Sequence, residues 1–96
     1  MQVLQAAQNG NVRLLQRLSG RGLNVANEDR WTAMHFAVLG GNPEAVRYLI
    51  SKDIGVNSKT VLDQSPLHFA AQAGNEFIIA ILVENGAILD STDNQV

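Results

Sequence analysis

Trp31-Thr-Ala-Met-His-Phe-Ala-Val-Leu-Gly-Gly-Asn42 and Gln64-Ser-Pro-Leu-His-Phe-Ala-Ala-Gln-Ala-Gly-Asn75 repeat one another at an offset of 33 residues, and the register runs on through Leu49/Leu82 to Asn57/Asp90 without insertion. A spacing held over that length marks a stacked supersecondary unit rather than a shared short motif. In the second copy Ser65 stands where a hydroxyl caps a helix start, and Pro66 fills the first helical position, where no N–H is required. Gly74 suits the left-handed residue that stops such a helix, and Asn75 is placed to cap the next one at once. Each unit therefore reads as two short antiparallel helices.

The second helix of this pair spans roughly 76–84 and carries Ile78, Ile79, Ile81, Leu82 and Val83. It is apolar over most of its circumference and needs cover on both sides. Gly86 ends it, and Ile88-Leu89-Asp90 leaves in extended form to open a hairpin finger. The preceding unit follows the same plan, with Thr32 as cap, Gly41 as stop, Asn42-Pro43-Glu44 as the second start, and Val46, Leu49 and Ile50 as the buried stripe. A partial copy precedes both in Ala6-Ala7-Gln8-Asn9-Gly10-Asn11, Leu14, Leu15, Leu18 and Gly22. Gly10 to Gly22 is 12 residues, as is Gly74 to Gly86, but Gly22 to Thr32 is 10 where Asp53 to Ser65 is 12. The first finger is predicted to be two residues short.

These caps, stops and stripes resemble the ankyrin repeat family, whose Thr-Pro-Leu-His-x-Ala-Ala-x-x-Gly pattern is nearly complete at 65–74 and looser at 32–41. The resemblance implies an all-α solenoid of stacked antiparallel helix pairs with short β-hairpin fingers. It divides a single domain, 1–96, into a partial repeat at 1–26, repeats at 27–59 and 60–92, and a stub at 93–96. Three positions depart from the pattern. Asp53 stands where Gly22 and Gly86 stand in the other units, and Arg30 and Asp63 replace the finger glycine. The last helix pair has none of the polar substitutions of a capping repeat, so its outer apolar surface is expected to be partly bare. Continuation of the stack beyond Val96 would cover that surface, as would weak self-association through the uncapped repeat.

Of the 96 residues, 46% are apolar and 17% charged, the balance of a folding chain, and there is no cysteine. The lack of cysteine fits an intracellular compartment, cytoplasmic or nuclear, better than secretion. The longest apolar run, Phe77 to Val83, has seven residues, far short of the roughly 20 of a membrane span, so direct membrane insertion is not expected. A net charge of −2 argues against nucleic acid as a partner. Charge is unevenly distributed: residues 1–30 hold Arg13, Arg17, Arg21 and Arg30 against Glu28 and Asp29, whereas residues 63–96 hold Asp63, Glu76, Glu84, Asp90 and Asp93 with no Lys or Arg.

His35 and His68 occupy equivalent places in successive repeats, about 10 Å apart in a stack of this kind, too far to share one ion at ligand distances near 2 Å. In the family that is resembled, this histidine hydrogen-bonds the finger backbone. Ser65 and His68 do not make a nucleophile and base, because a capping hydroxyl is already engaged by backbone amides. The sequence has no GxGxxG, phosphate loop or HExxH, and no catalytic residue, cofactor or metal is expected.

The resemblance instead implies a protein partner, held by the concave face: finger tips and the exposed positions of each first helix. On this chain those are Gln8 and Asn9, then Glu28, Asp29, Arg30, Trp31, Leu39 and Gly40, then Val61, Leu62, Asp63, Gln64, Gln72 and Ala73. Trp31, the only tryptophan, either seals the short finger or anchors a partner, and Leu39, Val61 and Leu62 are expected to lie near it. Arg30 and Asp29 would select a partner by charge, and Gln64 and Gln72 complete the candidate surface. The competing reading is a structural spacer within a longer array.

Overall fold

A computed structural model of the chain describes residues 2–88. Its helices are α1 (Gln2–Asn9), α2 (Val12–Leu18), α3 (Ala33–Leu39), α4 (Pro43–Ser51), α5 (Pro66–Ala73) and α6 (Glu76–Glu84), with one 3₁₀ turn, Ser19–Arg21, prolonging α2. The expected second helix over 76–84 is thus observed with those bounds. Consecutive helices pair as antiparallel hairpins, α3 stacks between α1 and α5, and α4 packs on α6. Among the described residues there is no sheet; strand pairing is reduced to a single antiparallel bridge, Ala26 to Thr32, at the first finger.

The stack is tight because small residues meet at the helix contacts. Ala7, Ala33, Ala37, Ala45 and Ala70 are fully buried, and Leu15, Met34, Leu49, Ile78 and Leu82 fill the space between pairs. Burying each of those large side chains contributes about 1.5–3 kcal/mol. Caps set the lengths of the helices. Thr32 and Ser65 each accept from the amide three residues on, and the ring of His35 or His68 accepts in return from the cap's own N–H, closing a reciprocal box. Asn11 and Asn75 accept from Leu14 N–H and Ile78 N–H, both at 3.1 Å.

The second start expected at Asn42-Pro43-Glu44 is observed, and Asn42 holds a further role there. It occupies the N-cap position of α4 but makes no capping bond; its amide donates instead to the carbonyl of Gln8 at 2.8 Å. That carbonyl belongs to the last turn of α1, where helix oxygens lack intrahelical donors. Asn42 therefore spends its side chain joining the first unit to the second.

Backbone of left-handed φ is found at all three positions that depart from the repeat pattern, Arg30, Asp53 and Asp63, with φ of 63°, 58° and 64°. Asp53 does not copy its counterparts, since Gly22 and Gly86 open wider, to 95° and 96°. An L side chain at such a φ costs about 1 kcal/mol. Asp53→Gly is therefore expected to raise the melting temperature by a few degrees, as measured by thermal unfolding followed by circular dichroism. A clear drop would mean that Asp53 holds its turn by more than backbone preference.

Both fingers end in the same turn. Arg30 N–H returns to Asn27 C=O at 3.0 Å and Asp63 N–H to Thr60 C=O at 2.9 Å. The side chains of Asn27 and Thr60 secure the turns by accepting from Asp29 and Trp31, and from Leu62 and Gln64, respectively. The two extra residues of the second finger fall at its base, where Ser58 N–H turns back on Gly55 C=O, so the tips stay in register. Val61 N–H reaches Asp29 C=O at 3.0 Å and links one tip to the next.

At the carboxy-terminal end Val83 and Ile88 are exposed, the second at 63%, which leaves part of the last unit's apolar surface bare. The finger expected after Ile88 and the stub at 93–96 lie outside the described residues.

Candidate functional site

Trp31 N–H is held by Asn27 Oδ1 at 2.9 Å, which sets the indole at the root of the first finger, directly before the α3 cap. From there its ring lies against Phe36 of α3, at 5.4 Å between centroids, and edge-on to Phe69 of α5, at 4.7 Å. Trp31 is half-buried by these contacts. It spans the junction between the second and third units and does not stand free on the tip.

The exposed edge of this aromatic group forms one wall of a surface cavity of about 320 Å³ lined by Trp31, Leu39, Gln64, Phe69, Gln72 and Ala73. None of the six is charged. A second cavity of about 240 Å³ is lined by Leu62, Asp63, Gln64, His68 and Gln72. Gln64 and Gln72 border both, so the two form adjoining compartments along the inner face of α5.

The floor is rigid for a reason located one layer deeper. His35 is fully buried and packs edge-on to Phe69 at 5.0 Å. Its Nδ1 accepts from Thr32 N–H at 3.1 Å, so in the neutral ring the proton sits on Nε2, which donates to Gln64 C=O at 2.9 Å. One imidazole thereby fixes the α3 cap and the residue that divides the two compartments. Burial pushes the His35 pKa below its ordinary value, outweighing the opposing pull of the Gln64 carbonyl.

The candidate residues read from the sequence separate into two groups. Trp31, Leu39, Gln64, Gln72 and Ala73 meet in the first cavity, and Leu62 and Asp63 border the second. Glu28, Asp29, Arg30 and Val61 sit exposed on the tips and line neither. Gln8 and Asn9 lie at the end of α1, where the Gln8 carbonyl is taken by Asn42. Phe69 was not among the expected residues. The available signal was its register with Phe36, 33 residues earlier, and both rings lie against Trp31.

The serine and histidine pair at the α5 cap is committed to structure. His68 Nδ1 accepts from Ser65 N–H at 2.8 Å, a shorter contact than the 3.1 Å to Ser65 Oγ, so its lone pair is not directed to take a proton from the hydroxyl. Among the described residues no group of three or more His, Cys, Asp or Glu is arranged to hold a metal ion, and no helix is long and apolar enough to cross a membrane.

Comparison with known proteins agrees with this fold. The chain is 38% identical over 84 residues to a transient receptor potential cation channel subfamily A member 1 homolog of Caenorhabditis elegans, covering 84% of this chain and 7% of that protein. It is 34% identical over 96 residues to palmitoyltransferase AKR1 of Lachancea kluyveri, covering 94% of this chain and 13% of that one. The crystal structure of the human ASB11 ankyrin repeat domain superimposes with a TM-score of 0.84 at 29% identity, over 92% of this chain and 41% of that chain. The chain thus corresponds to a small part of proteins as unlike as a channel and a transferase. A family model described as "Ankyrin repeats (3 copies)" matches residues 3–93, and with the same stack found in a solved domain, this chain belongs to the ankyrin repeat family.

Proposed function

We propose that this chain is a non-catalytic protein-binding module that grips a protein partner with its concave face and finger tips. The observation that carries this reading is the uncharged cavity between Trp31, Leu39, Phe69 and Gln72, because a semi-exposed aromatic site ringed by amides has the composition of an interface hot spot. Trp31, Leu39, Gln64 and Gln72 make the central contacts. Leu62 and Val61, exposed at 75% and 55%, extend the apolar surface, while Asp29 and Arg30 act at the rim on association rate.

Leu39 provides the test, because its side chain is 50% exposed and its loss leaves the aromatic packing intact. Leu39→Asp is expected to keep stability within about 0.5 kcal/mol of the parent. The same change is expected to weaken a bound protein partner about tenfold or more. A partner that binds the folded variant as tightly as the parent would remove the concave face from the interface.

A second reading is favoured by the exposed Val83 and Ile88: these repeats act as a spacer in a longer array, and the bare end takes a neighbouring unit or, weakly, another copy of the chain. Sedimentation at low and high salt checks the self-association. A monomer at all concentrations would dispose of it.

A further inference from the structure

The concave groove has two compartments of different chemistry, and this specifies its occupant more narrowly than "a protein". Resting on the binding role proposed above, the geometry points to an extended peptide segment in which a large aliphatic side chain is followed, two residues on, by lysine or arginine. The aliphatic residue fills the compartment of Trp31, Leu39 and Phe69, which contains no charge. The basic residue enters the adjoining compartment, where Asp63 stands beside Leu62 and His68.

Three features support this assignment. An extended chain places residues i and i+2 on one face about 7 Å apart, so adjoining compartments are filled by alternate side chains. Gln64 and Gln72 border both compartments and lie beneath the peptide unit that would cross between them; each amide can donate to a carbonyl and accept from an N–H. Finally, the charge is complementary. Asp63 is the one carboxylate among the residues that line the second compartment, and none of them is Lys or Arg. The Asp63 carboxylate is 72% exposed, and its contact with Lys59 is long, at 3.4 Å, so an incoming cation can displace that partner.

Trp31 reports the binding directly, since it is the only tryptophan and lines the first compartment. The folded chain is titrated with end-capped peptides that differ only at two positions, Leu-Ser-Lys, Leu-Ser-Gln, Leu-Ser-Glu and Gly-Ser-Lys in a common Gly-Ser frame, and the indole emission is followed. Leu-Ser-Lys is expected to bind about threefold more tightly than Leu-Ser-Gln, with Leu-Ser-Glu weaker again and Gly-Ser-Lys giving no shift. High salt is expected to erase the ranking of the leucine peptides. Asp63→Asn should lower the affinity for Leu-Ser-Lys to that for Leu-Ser-Gln; asparagine tolerates the left-handed backbone at this position, so the turn survives the change. Equal affinity for the Lys, Gln and Glu peptides would overturn the assignment while leaving the groove as a binding site. If no peptide moves the emission, the proposed binding role fails with it. An emission shift that follows protein concentration alone would give the groove to a second copy and would overturn the peptide assignment.

Discussion

Gly40→Ala is expected to destabilise the fold by about 3 kcal/mol, although alanine is normally the better residue at a helical backbone angle. Gly40 follows α3 with φ −76° and ψ −10°, a conformation open to any residue, so backbone preference alone predicts a gain. The obstacle is steric. A methyl group there would stand 2.0 Å from the Gln8 carbonyl oxygen, which is backbone of α1 and also holds the Asn42 amide. Relief requires the first unit to move away from the second, which breaks that hydrogen bond and opens the contact between α1 and α3. Gly20 supplies the control, because a methyl group at that position meets nothing within 4 Å. Urea unfolding of the two variants checks the prediction: Gly20→Ala should unfold within about 1 kcal/mol of the parent, and an equally mild Gly40→Ala would show that the first unit is not seated so closely.

Removing the His35 imidazole is the second large effect. His35→Leu keeps the volume approximately but leaves the buried Thr32 N–H without its acceptor, at about 1–3 kcal/mol, and leaves Gln64 C=O with Thr60 N–H as its remaining donor. That is a large part of the roughly 5–14 kcal/mol expected for a chain of this length. The same site makes stability depend on pH. The folded pKa is depressed by burial, so the folded state binds the proton less readily than the unfolded chain. Its contribution is complete above the ordinary value near 6.5 and is lost as pH falls from there through the lower folded value. Protonation would place a hydrogen on Nδ1, facing Thr32 N–H, so the charged ring breaks the helix cap it now completes. Denaturant midpoints measured between pH 7.5 and pH 5 should fall for the parent and flatten for His35→Leu. A parallel fall in both would assign the pH effect to other groups.

The sequence exposes the helix caps because they are local events. Ser65, Pro66 and Gly74 act on amides three or four residues away, so their roles follow from spacing alone. The side-chain bond of Asn42 was not legible, for the opposite reason. Its partner, Gln8, is 34 residues distant, and only the approach of α1 to α3 brings that carbonyl within reach. The proposed binding surface divides in the same way. Leu39, Gln64 and Gln72 were identifiable as first-helix or finger positions that the repeat does not need for its own packing. Phe69 was hidden among apparent core residues, and its contribution to the wall depends on the tilt between successive units.

Trp31 shows the limit most clearly. Sequence left it between sealing a finger and anchoring a partner, and the structure shows the indole packed on Phe36 and Phe69 while still bordering the cavity. Repeat length and helix starts and stops were determined by sequence alone, since each depends on interactions within a few residues. Tertiary structure alone decided that the fingers join tip to tip, that Asn42 ties two units together, and that two compartments meet at Gln64 and Gln72. Those features depend on how one unit lies against the next, and that is set by the packing of side chains some thirty residues apart.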